Sequence, residues 1–389
     1  MARARLILGY RHLLQPPDMD KTVRAFSCLR GCIFVCTYID KPCEALCIVY
    51  MLRTFEINNR RYLGNKFKLL PFIRRIVDKE CNNVTSVLDA FSGTGSVSFA
   101  FLDKQLLVND MMYCNYLAAL CWFSPQDVDI QKLEGLLDYY NKVDTSREDN
   151  YMYQTFRDTY FSADVCRRIG FIREDVERKY ATGELNERER AAVITSLVYA
   201  MDRISNTYGH YDSYIQNATY NNDFELRLPK LDYELNLGNR CFNMDANILA
   251  SEVTCDLAYL DPPYNSRNYC DAYHLLENVA RWEQPEVVGV ARKMDRSAMK
   301  SEYCKVTANE SLEDLVDKLR CRYIMLSYNN NGQKLQIRSN AKISDDEIMR
   351  ILGKRGDVRV FTQDFKPFSA GRGENVGNQE RLFLCAVQR

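Results

Sequence analysis

Hydrophobic and polar positions follow two periods along most of the chain. Apolar residues at helical spacing predict a helix over residues 66–77, and a continuous apolar run over residues 84–90 predicts a buried strand. Further strands are predicted at residues 105–109, 240–244, 256–260, 323–327, 358–361 and 382–387, and further helices at residues 112–123, 272–282 and 344–352. Strands that alternate with helices predict an α/β fold, a doubly wound and mainly parallel sheet with helices on both faces.

Two regions depart from this alternation. Residues 1–50 show no clear period, and we interpret them as an atypical extension that is dispensable or not native, with translation beginning at Met51. Residues 125–235 are rich in charge, with a helical stretch at 187–203 and a polar segment after it, which predicts an inserted helical subdomain. The sheet domain then comprises residues 51–124 and 236–389. Loss of folding or activity in a shortened chain that begins at Met51 would refute the first interpretation.

Composition narrows the class of protein. The 389 residues are 46% hydrophobic and 27% charged, which predicts a globular chain, and no apolar run is long enough to span a membrane. The formal net charge is zero, so affinity for nucleic acid must come from local patches. Residues 318–389 carry 14 Lys and Arg against 7 Asp and Glu, a local net charge of +7. This excess fits either a phosphate-facing surface or a solvated face.

The 15 cysteines favour a reducing compartment. None forms a C-x-x-C pair and most lie in apolar runs, which predicts buried, reduced thiols in a cytoplasmic protein. Five cysteines crowd the first 50 residues, but their spacings do not fit a zinc ribbon, and no metal site is predicted.

A glycine turn follows the first predicted strand of the sheet domain. The strand ends at Asp89, and Gly93 and Gly95 allow positive φ and a close approach of the backbone to a ligand. A dinucleotide site would carry a third glycine where Ser98 stands, so a nucleoside without a pyrophosphate fits at least as well as NAD. Asp110, at the end of the second strand, is placed either for two ribose hydroxyls or as a helix N-cap.

A second motif, Asp261-Pro262-Pro263-Tyr264, directly follows the strand predicted at residues 256–260. Doubly wound folds bind ligands at the carboxyl ends of their strands. Two prolines remove N–H donors from the loop, so its carbonyls can only accept hydrogen bonds, and the tyrosine ring can stack on a planar base. Acceptors beside a stacking ring suit an exocyclic amino group on a heterocycle. The alternative interpretation is a rigid surface turn.

These motifs, in this order, resemble those of the Dam-like (alpha-type) adenine-specific DNA methyltransferases. The resemblance rests on the octapeptide NRRYLGNK at residues 59–66, DAFSGTG at 89–95, Asp110, and DPPY at 261–264. The stretch DPPYNSRNYCDAYHLLENVARWE and the turn LSYNNNG are especially similar to modification enzymes of type II and IIS restriction systems. The similarity runs from about residue 57 to the C-terminus and leaves out residues 1–50.

The resemblance implies a class I methyltransferase fold, S-adenosyl-L-methionine as methyl donor, and N6 of a flipped adenine in double-stranded DNA as acceptor. It assigns the catalytic loop to Asp261, Pro262 and Tyr264. It assigns cofactor contacts to Tyr62, Lys66, Asp89, Gly93, Gly95 and Asp110, and more loosely to Asp245. It further implies DNA contacts within residues 125–235 and a cognate restriction endonuclease that acts on the same DNA site.

Several alternatives stay open at this point. N4-cytosine enzymes use a similar loop, usually with serine in place of Asp261, and RNA adenine methyltransferases also carry the tetrad. A non-catalytic DNA-binding relative would keep the fold. A nicotinamide oxidoreductase would need the third glycine and has no use for the Pro-Pro-Tyr loop. His274 is either a general base or a packed residue, and the packed residue is favoured because the transfer needs no imidazole.

Overall fold

The computed structural model describes residues 53–60, 62–263, 266–329, 343–364 and 379–388, and the backbone of three strands within residues 24–50. The chain divides into two compact units, Met1–Thr54 and Phe55–Arg389. The first unit contains an antiparallel sheet of β1 (Arg24–Cys28), β2 (Cys32–Thr37) and β3 (Leu46–Tyr50), in that order. Whether residues 1–50 are dispensable stays a prediction.

The remaining strands and helices follow in chain order. The strands are β4 (Thr54–Phe55), β5 (Ser86–Asp89), β6 (Gln105–Asn109), β7 (Leu228–Pro229), β8 (Arg240–Phe242), β9 (Leu257–Leu260), β10 (Tyr323–Asn329), β11 (Gly356–Asp364) and β12 (Gln379–Val387). The helices are α1 (Leu70–Glu80), α2 (Ser96–Phe99), α3 (Tyr113–Phe123), α4 (Ile130–Lys142), α5 (Tyr151–Phe156), α6 (Ala163–Ala181), α7 (Glu187–Ile204), α8 (Ala246–Glu252), α9 (Tyr269–Ala272), α10 (His274–Arg281), α11 (Ala308–Lys318) and α12 (Asp345–Gly353). Short 3-10 turns occupy Ile57–Asn59, Phe67–Leu69, Ser297–Met299 and Glu302–Cys304.

Seven strands form the central sheet of the second unit, in the order β11-β12-β10-β9-β5-β6-β8. The five strands β10, β9, β5, β6 and β8 are parallel to one another, and β12 is antiparallel to both β10 and β11. The prediction of a mainly parallel sheet is therefore confirmed. The chain order reverses between β5 and β9, which opens a crevice at the carboxyl ends of these two strands.

Alternate residues along each strand enter two different hydrophobic cores. Val87 and Val108 pack on one face with helices that include α1, α3, α7 and α10. Leu88 and Leu107 pack on the other face with α8, α11 and α12. Burial on both faces explains why these strands read as continuous apolar runs. The expectation of helices on both faces is confirmed.

The helices α4 to α7 lie within residues 125–235 and share the first of these two cores. Leu133, Ile169 and Leu197 belong to the same cluster as Val87 of β5. The helix predicted at residues 187–203 is α7, whose N-cap Asn186 accepts a hydrogen bond from Glu189 N in a capping box. Treating residues 125–235 as a separate subdomain stays a prediction.

The helix predicted at residues 272–282 begins later than predicted. It corresponds to α10 (His274–Arg281), and a break at Tyr273, whose φ of −123° and ψ of 23° are not helical, separates it from α9. The tertiary contacts of Tyr273 account for the break, because its hydroxyl accepts a hydrogen bond from Leu63 N at 2.8 Å and its ring stacks on Tyr62.

Two predictions from composition concern the described residues. Ten cysteines there form no disulfide, and the eight that are buried agree with the prediction of buried thiols, whereas Cys241 and Cys321 are partly exposed. The five cysteines of the first 50 residues lie outside the described side chains. None of the helices in the described ranges combines the length and the apolar character that crossing a bilayer requires.

Candidate active site

The glycine turn between β5 and α2 uses its two glycines differently. Gly93 has a φ of 54°, and a Cβ there would lie 3.2 Å from Cε1 of Tyr62, so the turn and the Tyr62 ring are in close contact. Gly95 has a φ of 80° and caps α2, and a Cβ there would lie 2.8 Å from Cε2 of Phe123. Gly93 therefore faces the ligand cleft, whereas Gly95 shapes the turn and packs against the core.

Asp89 ends β5 with one oxygen bonded and one left over. Its Oδ2 accepts hydrogen bonds from Ser98 N at 3.2 Å and Ser98 Oγ at 2.8 Å. Its Oδ1 is buried and has no hydrogen-bond partner among the described residues. Burial raises the pKa of Asp89 to about 7, the Ser98 donors oppose that rise, and the nearby carboxylate of Asp261 adds to it. An unbonded, buried carboxylate oxygen is a place where a ligand donor gains a strong hydrogen bond.

Asp110 ties the end of β6 to the glycine turn. Its Oδ2 accepts from Gly93 N at 2.7 Å and its Oδ1 from Met112 N at 2.8 Å. Burial raises the pKa of Asp110 to about 6, and these backbone donors oppose the rise. Asp245 similarly follows β8 and caps α8, accepting from Asn247 N at 2.8 Å. Each carboxylate oxygen has a further lone pair, so both side chains can also accept from a ligand.

Asp261 directly follows β9, and its carboxylate shares a lysine partner with a second carboxylate. Lys66 Nζ lies 3.1 Å from Asp261 Oδ1 and 3.0 Å from Glu380 Oε1. Glu380 also accepts from Ser327 Oγ at 2.8 Å. Burial raises the pKa of Asp261 to about 6, Lys66 opposes that rise, and Glu380 adds to it.

The rings of Tyr62 and Tyr269 line the cleft, and the ring of Tyr273 lies directly next to that of Tyr62. Tyr62 stacks on Tyr273 with centroids 4.6 Å apart and on Tyr269 with centroids 5.3 Å apart. The buried guanidinium of Arg60 lies 5.1 Å from the Tyr62 centroid and pairs with Asp202 at 3.0 Å. The hydroxyl of Tyr62 accepts a hydrogen bond from Asn115 Nδ2 at 2.9 Å. These contacts fasten the segment around Tyr62 to the helices after the Asp261 loop.

The carboxylates of Asp89, Asp110, Asp245 and Asp261 border a single cleft at the carboxyl ends of β5 and β9. Its open space is about 950 Å³, including solvent at its mouth. The sequence-predicted residues that line it are Tyr62, Lys66, Asp89, Gly93, Asp110, Asp245 and Asp261. Two other predicted residues, Pro262 and Gly95, are not among the residues that line the cleft, whereas Pro263 is. Tyr264 lies outside the described residues.

Comparison with known proteins decides the family of this chain. Residues 62–335 match the profile of the D12 class N6 adenine-specific DNA methyltransferases. The chain belongs to that family. Its relatives include the modification methylase StsI of Streptococcus sanguinis, 30% identical over 349 residues that cover 85% of this chain and 52% of that protein. The type II methyltransferase M.FokI of Planomicrobium okeanokoites is 29% identical over 80% of this chain and 50% of its own length.

The chain thus spans about half the length of these two relatives. The type II methyltransferase M.NlaIII of Neisseria lactamica is 26% identical over 81% of this chain and 94% of its own length. Membership of the D12 class and the mainly parallel sheet agree with the methyltransferase fold expected from the motifs.

Some residues in and next to this cleft were not found from the sequence. Tyr269 and Tyr273 stand four positions apart, a spacing that places two side chains on one helix face and could have marked them. Glu380 had no local signal, because it reaches Lys66 only through the pairing of β12 with β10. His274 is buried, with Nε2 2.8 Å from Tyr211 O, and burial lowers its pKa to about 4. It is a packed, neutral residue, as the sequence favoured.

Proposed function

We propose that this chain transfers a methyl group from S-adenosyl-L-methionine to the exocyclic N6 of adenine in double-stranded DNA. The observation that carries the proposal is one shared cleft. The Asp261 carboxylate borders the same space as the Gly93 turn and the carboxylates Asp89 and Asp110. Placement of Asp261 on the opposite side of the sheet from the turn would have ruled this chemistry out.

The cleft residues fit the proposed donor. The methionine part of the donor carries an ammonium group, and the unbonded Oδ1 of Asp89 offers a buried acceptor for it. Gly93, which lacks a side chain, leaves room beside Tyr62, and Asp110 can accept from the ribose hydroxyls. Asp245 lines the same cleft and is assigned to the adenine end. When bound, the donor supplies an electrophilic methyl group on a sulfonium.

The acceptor side of the cleft would activate a poor nucleophile. The amino lone pair of adenine is delocalised into the ring, and two acceptors on its hydrogens localise it again. Asp261 and the Pro262 carbonyl are assigned to these two hydrogens. A preorganised acceptor of this kind is typically worth about 3–4 kcal/mol as positive charge grows on N6. No covalent enzyme intermediate is needed, so we assign no cysteine to the reaction.

An adenine inside a duplex cannot reach this cleft, so we infer that it flips out of the helix. Tyr264 is the ring that we assign to stacking on the flipped base. Replacing Tyr264 with alanine should weaken base capture, measured by the fluorescence of 2-aminopurine at the target position, and replacing it with phenylalanine should have a small effect. Equal loss in both variants would assign the hydroxyl, and not the ring, to the contact.

A cationic cluster beside the cleft supports contact with DNA. Asp212, in the loop after α7, accepts from Arg267 at 2.7 Å and from Lys293 at 2.9 Å. Two cations share one carboxylate, so the cluster is net positive, and Arg267 directly precedes the cleft-lining Asn268. We assign this cluster to the phosphates that flank the flipped base, because DNA binding is dominated by phosphate contacts.

The assignment of the cluster predicts a change in salt dependence. Replacing Arg267 or Lys293 with alanine should each reduce the slope of log K against log salt by about 0.9. Donor affinity should not change. Arg350 on α12, which pairs with Glu313 on α11, provides a control substitution at an exposed site outside the cleft lining. Slopes that match this control would remove the cluster from the DNA surface.

The activity itself is tested with the purified chain and labelled donor. Double-stranded DNA and RNA are incubated separately, and the modified nucleosides are identified after digestion. We expect N6-methyladenine in DNA only. N4-methylcytosine, or label in RNA, would replace the proposed acceptor, and donor binding without turnover on any DNA would mark a non-catalytic relative. The names of the relatives, a modification methylase and a type II methyltransferase, favour a modification role, which sequencing of DNA from expressing cells would test. We further propose a cytoplasmic location and a cognate restriction endonuclease that acts on the same DNA site.

A further inference from the structure

Lys66 lies between two carboxylates, of which one faces the cleft. Its Nζ is 3.1 Å from Asp261 Oδ1 and 3.0 Å from Glu380 Oε1. Lys66 and Asp261 line the cleft, whereas Glu380 does not and its side chain is 3% exposed. Glu380 therefore acts on the acceptor without touching it, through its contact with Lys66 and through its negative charge near Asp261.

Glu380 places a carboxylate in a buried position, where an ionised group is costly unless it is paired. It is buried near the start of β12, and Leu382 and Leu384, further along the same strand, belong to one of the hydrophobic cores. Burying an ionised carboxylate costs several kcal/mol before any partner is counted, and an apolar residue of similar size is often no less stable. Ser327 and Lys66 satisfy Glu380 Oε1, but they do not by themselves explain why a carboxylate stands here.

The second carboxylate changes the electrostatics of Asp261. A simple pair with Lys66 would leave Asp261 nearly neutralised. With Glu380 included, the ammonium of Lys66 lies between two carboxylates, so its charge is divided between Asp261 and Glu380. Asp89 adds negative charge near Asp261, and Tyr259 lies close to it with a pKa that burial raises well above its usual value.

We propose that Glu380 is a positioning residue for methyl transfer. It holds Lys66 against Oδ1 of Asp261 and keeps the lysine charge shared, so that Asp261 retains negative charge for the acceptor amino group. The inference rests on the proposed function, because that function assigns Asp261 to the amino group. It adds a residue from the antiparallel strand to a site otherwise built from parallel strand ends.

The test uses Glu380→Gln, which keeps nearly the same shape and an oxygen that can accept from Lys66 and Ser327. Lys66 would then act fully on Asp261. We expect the acid limb of the single-turnover rate to move about one pH unit lower. On the plateau the rate should fall about tenfold, because a more neutralised Asp261 stabilises the developing positive charge less. Donor affinity should stay within about twofold, since the donor contacts are unchanged.

Two further variants separate charge sharing from a structural role. Glu380→Asp retains the charge, so its acid limb should stay at the wild-type pH even if its rate is lower. Glu189→Gln removes another buried carboxylate that pairs with a lysine, Lys132, away from the cleft, and should not move the limb. A wild-type limb and rate in Glu380→Gln, or an equal shift in Glu380→Asp, would overturn the proposal.

A measurement without DNA keeps this proposal distinct from the proposed function. The carboxyl carbon of Asp261 can be titrated by 13C NMR and assigned with Asp261→Asn. Its midpoint should fall by about one unit in Glu380→Gln. An unchanged midpoint overturns the role of Glu380 even in an active enzyme. Absence of methyl transfer by the wild-type chain on any nucleic acid would instead overturn the proposed function, whatever the titration shows.

Discussion

Two groups of buried carboxylates in this protein differ in how far the chain itself satisfies them. Glu189, at the start of α7, accepts from Asp129 N at 3.0 Å, from Asn186 N at 2.9 Å, and from Lys132 Nζ. Burial alone would raise its pKa, but Lys132 and the two backbone donors lower the pKa below its usual value. The ionised form of Glu189 is therefore stabilised within the fold.

The cleft carboxylates show the opposite balance. The pKa of Asp89 is raised to about 7 and that of Asp261 to about 6, in both cases chiefly by burial. Asp89 keeps a buried oxygen without a partner, and Asp261 shares its lysine with Glu380. Strongly raised pKa values in a cleft are typical of functional sites. The comparison indicates that Glu189 serves the fold, whereas Asp89 and Asp261 retain capacity for a ligand.

The largest expected effect follows from removing Asp261. We expect Asp261→Ala to reduce methyl transfer by about 10²–10³-fold, because the acceptor loses its charged partner in a water-poor site. Folding and DNA binding should persist, since Lys66 keeps Glu380 as a partner. Single-turnover rates and DNA titrations check this. Full activity in the variant would discard the catalytic assignment of Asp261.

Removing Asp89 should act on the donor. We expect Asp89→Ala to weaken donor binding by about 10–100-fold, the range for a lost hydrogen bond to a charged group. In the wild type, donor binding should weaken as the pH falls below about 7, because Asp89 becomes protonated there. Calorimetry at pH 8 and pH 6 measures both effects. Unchanged affinity in the variant would place the ammonium group elsewhere.

Removing Glu189 should act on the fold alone. We expect Glu189→Gln to lower the free energy of unfolding by about 1–3 kcal/mol, because a buried set of donors loses its charged acceptor. The rate of methyl transfer per folded molecule should stay the same. Urea denaturation together with active-site titration tests this. A reduced rate with unchanged stability would undo the contrast between the two groups.

The smallest effect is a difference in pH dependence. The folded-state pKa of Asp89 lies above the usual value of 3.8, so the folded chain takes up a proton that the unfolded chain does not between about pH 7 and pH 4. This group therefore makes the folded state more stable as the pH falls through that window. Asp89→Asn should remove this contribution. Denaturation at pH 7.5 and pH 5.5 measures the change in the free energy of unfolding between the two pH values. An equal change in the wild type and in Asp89→Asn would contradict the prediction.

Much of the fold and half of the site could be predicted from local patterns. Gln105–Asn109 was predicted at its observed bounds, because a strand buried on both faces is a continuous apolar run. Asp89, Gly93 and Asp110 were predicted because each stands at a strand end or in a turn that a few neighbouring residues shape. Gly95 was assigned to the ligand for the same reason, although its positive φ serves the turn and the contact with Phe123.

The sequence by itself determined which chemical groups follow which strands, since short-range sterics and hydrophobic periodicity set strands and turns. The tertiary structure alone decided which distant groups meet. Glu380 reaches Lys66 because β12 runs antiparallel beside β10, and Tyr62 stacks on Tyr269 and Tyr273 because α9 and α10 pack over the cleft. Side chains from separate parts of the chain share one lysine charge only after the strands of the sheet have paired, and no local pattern encodes that sharing.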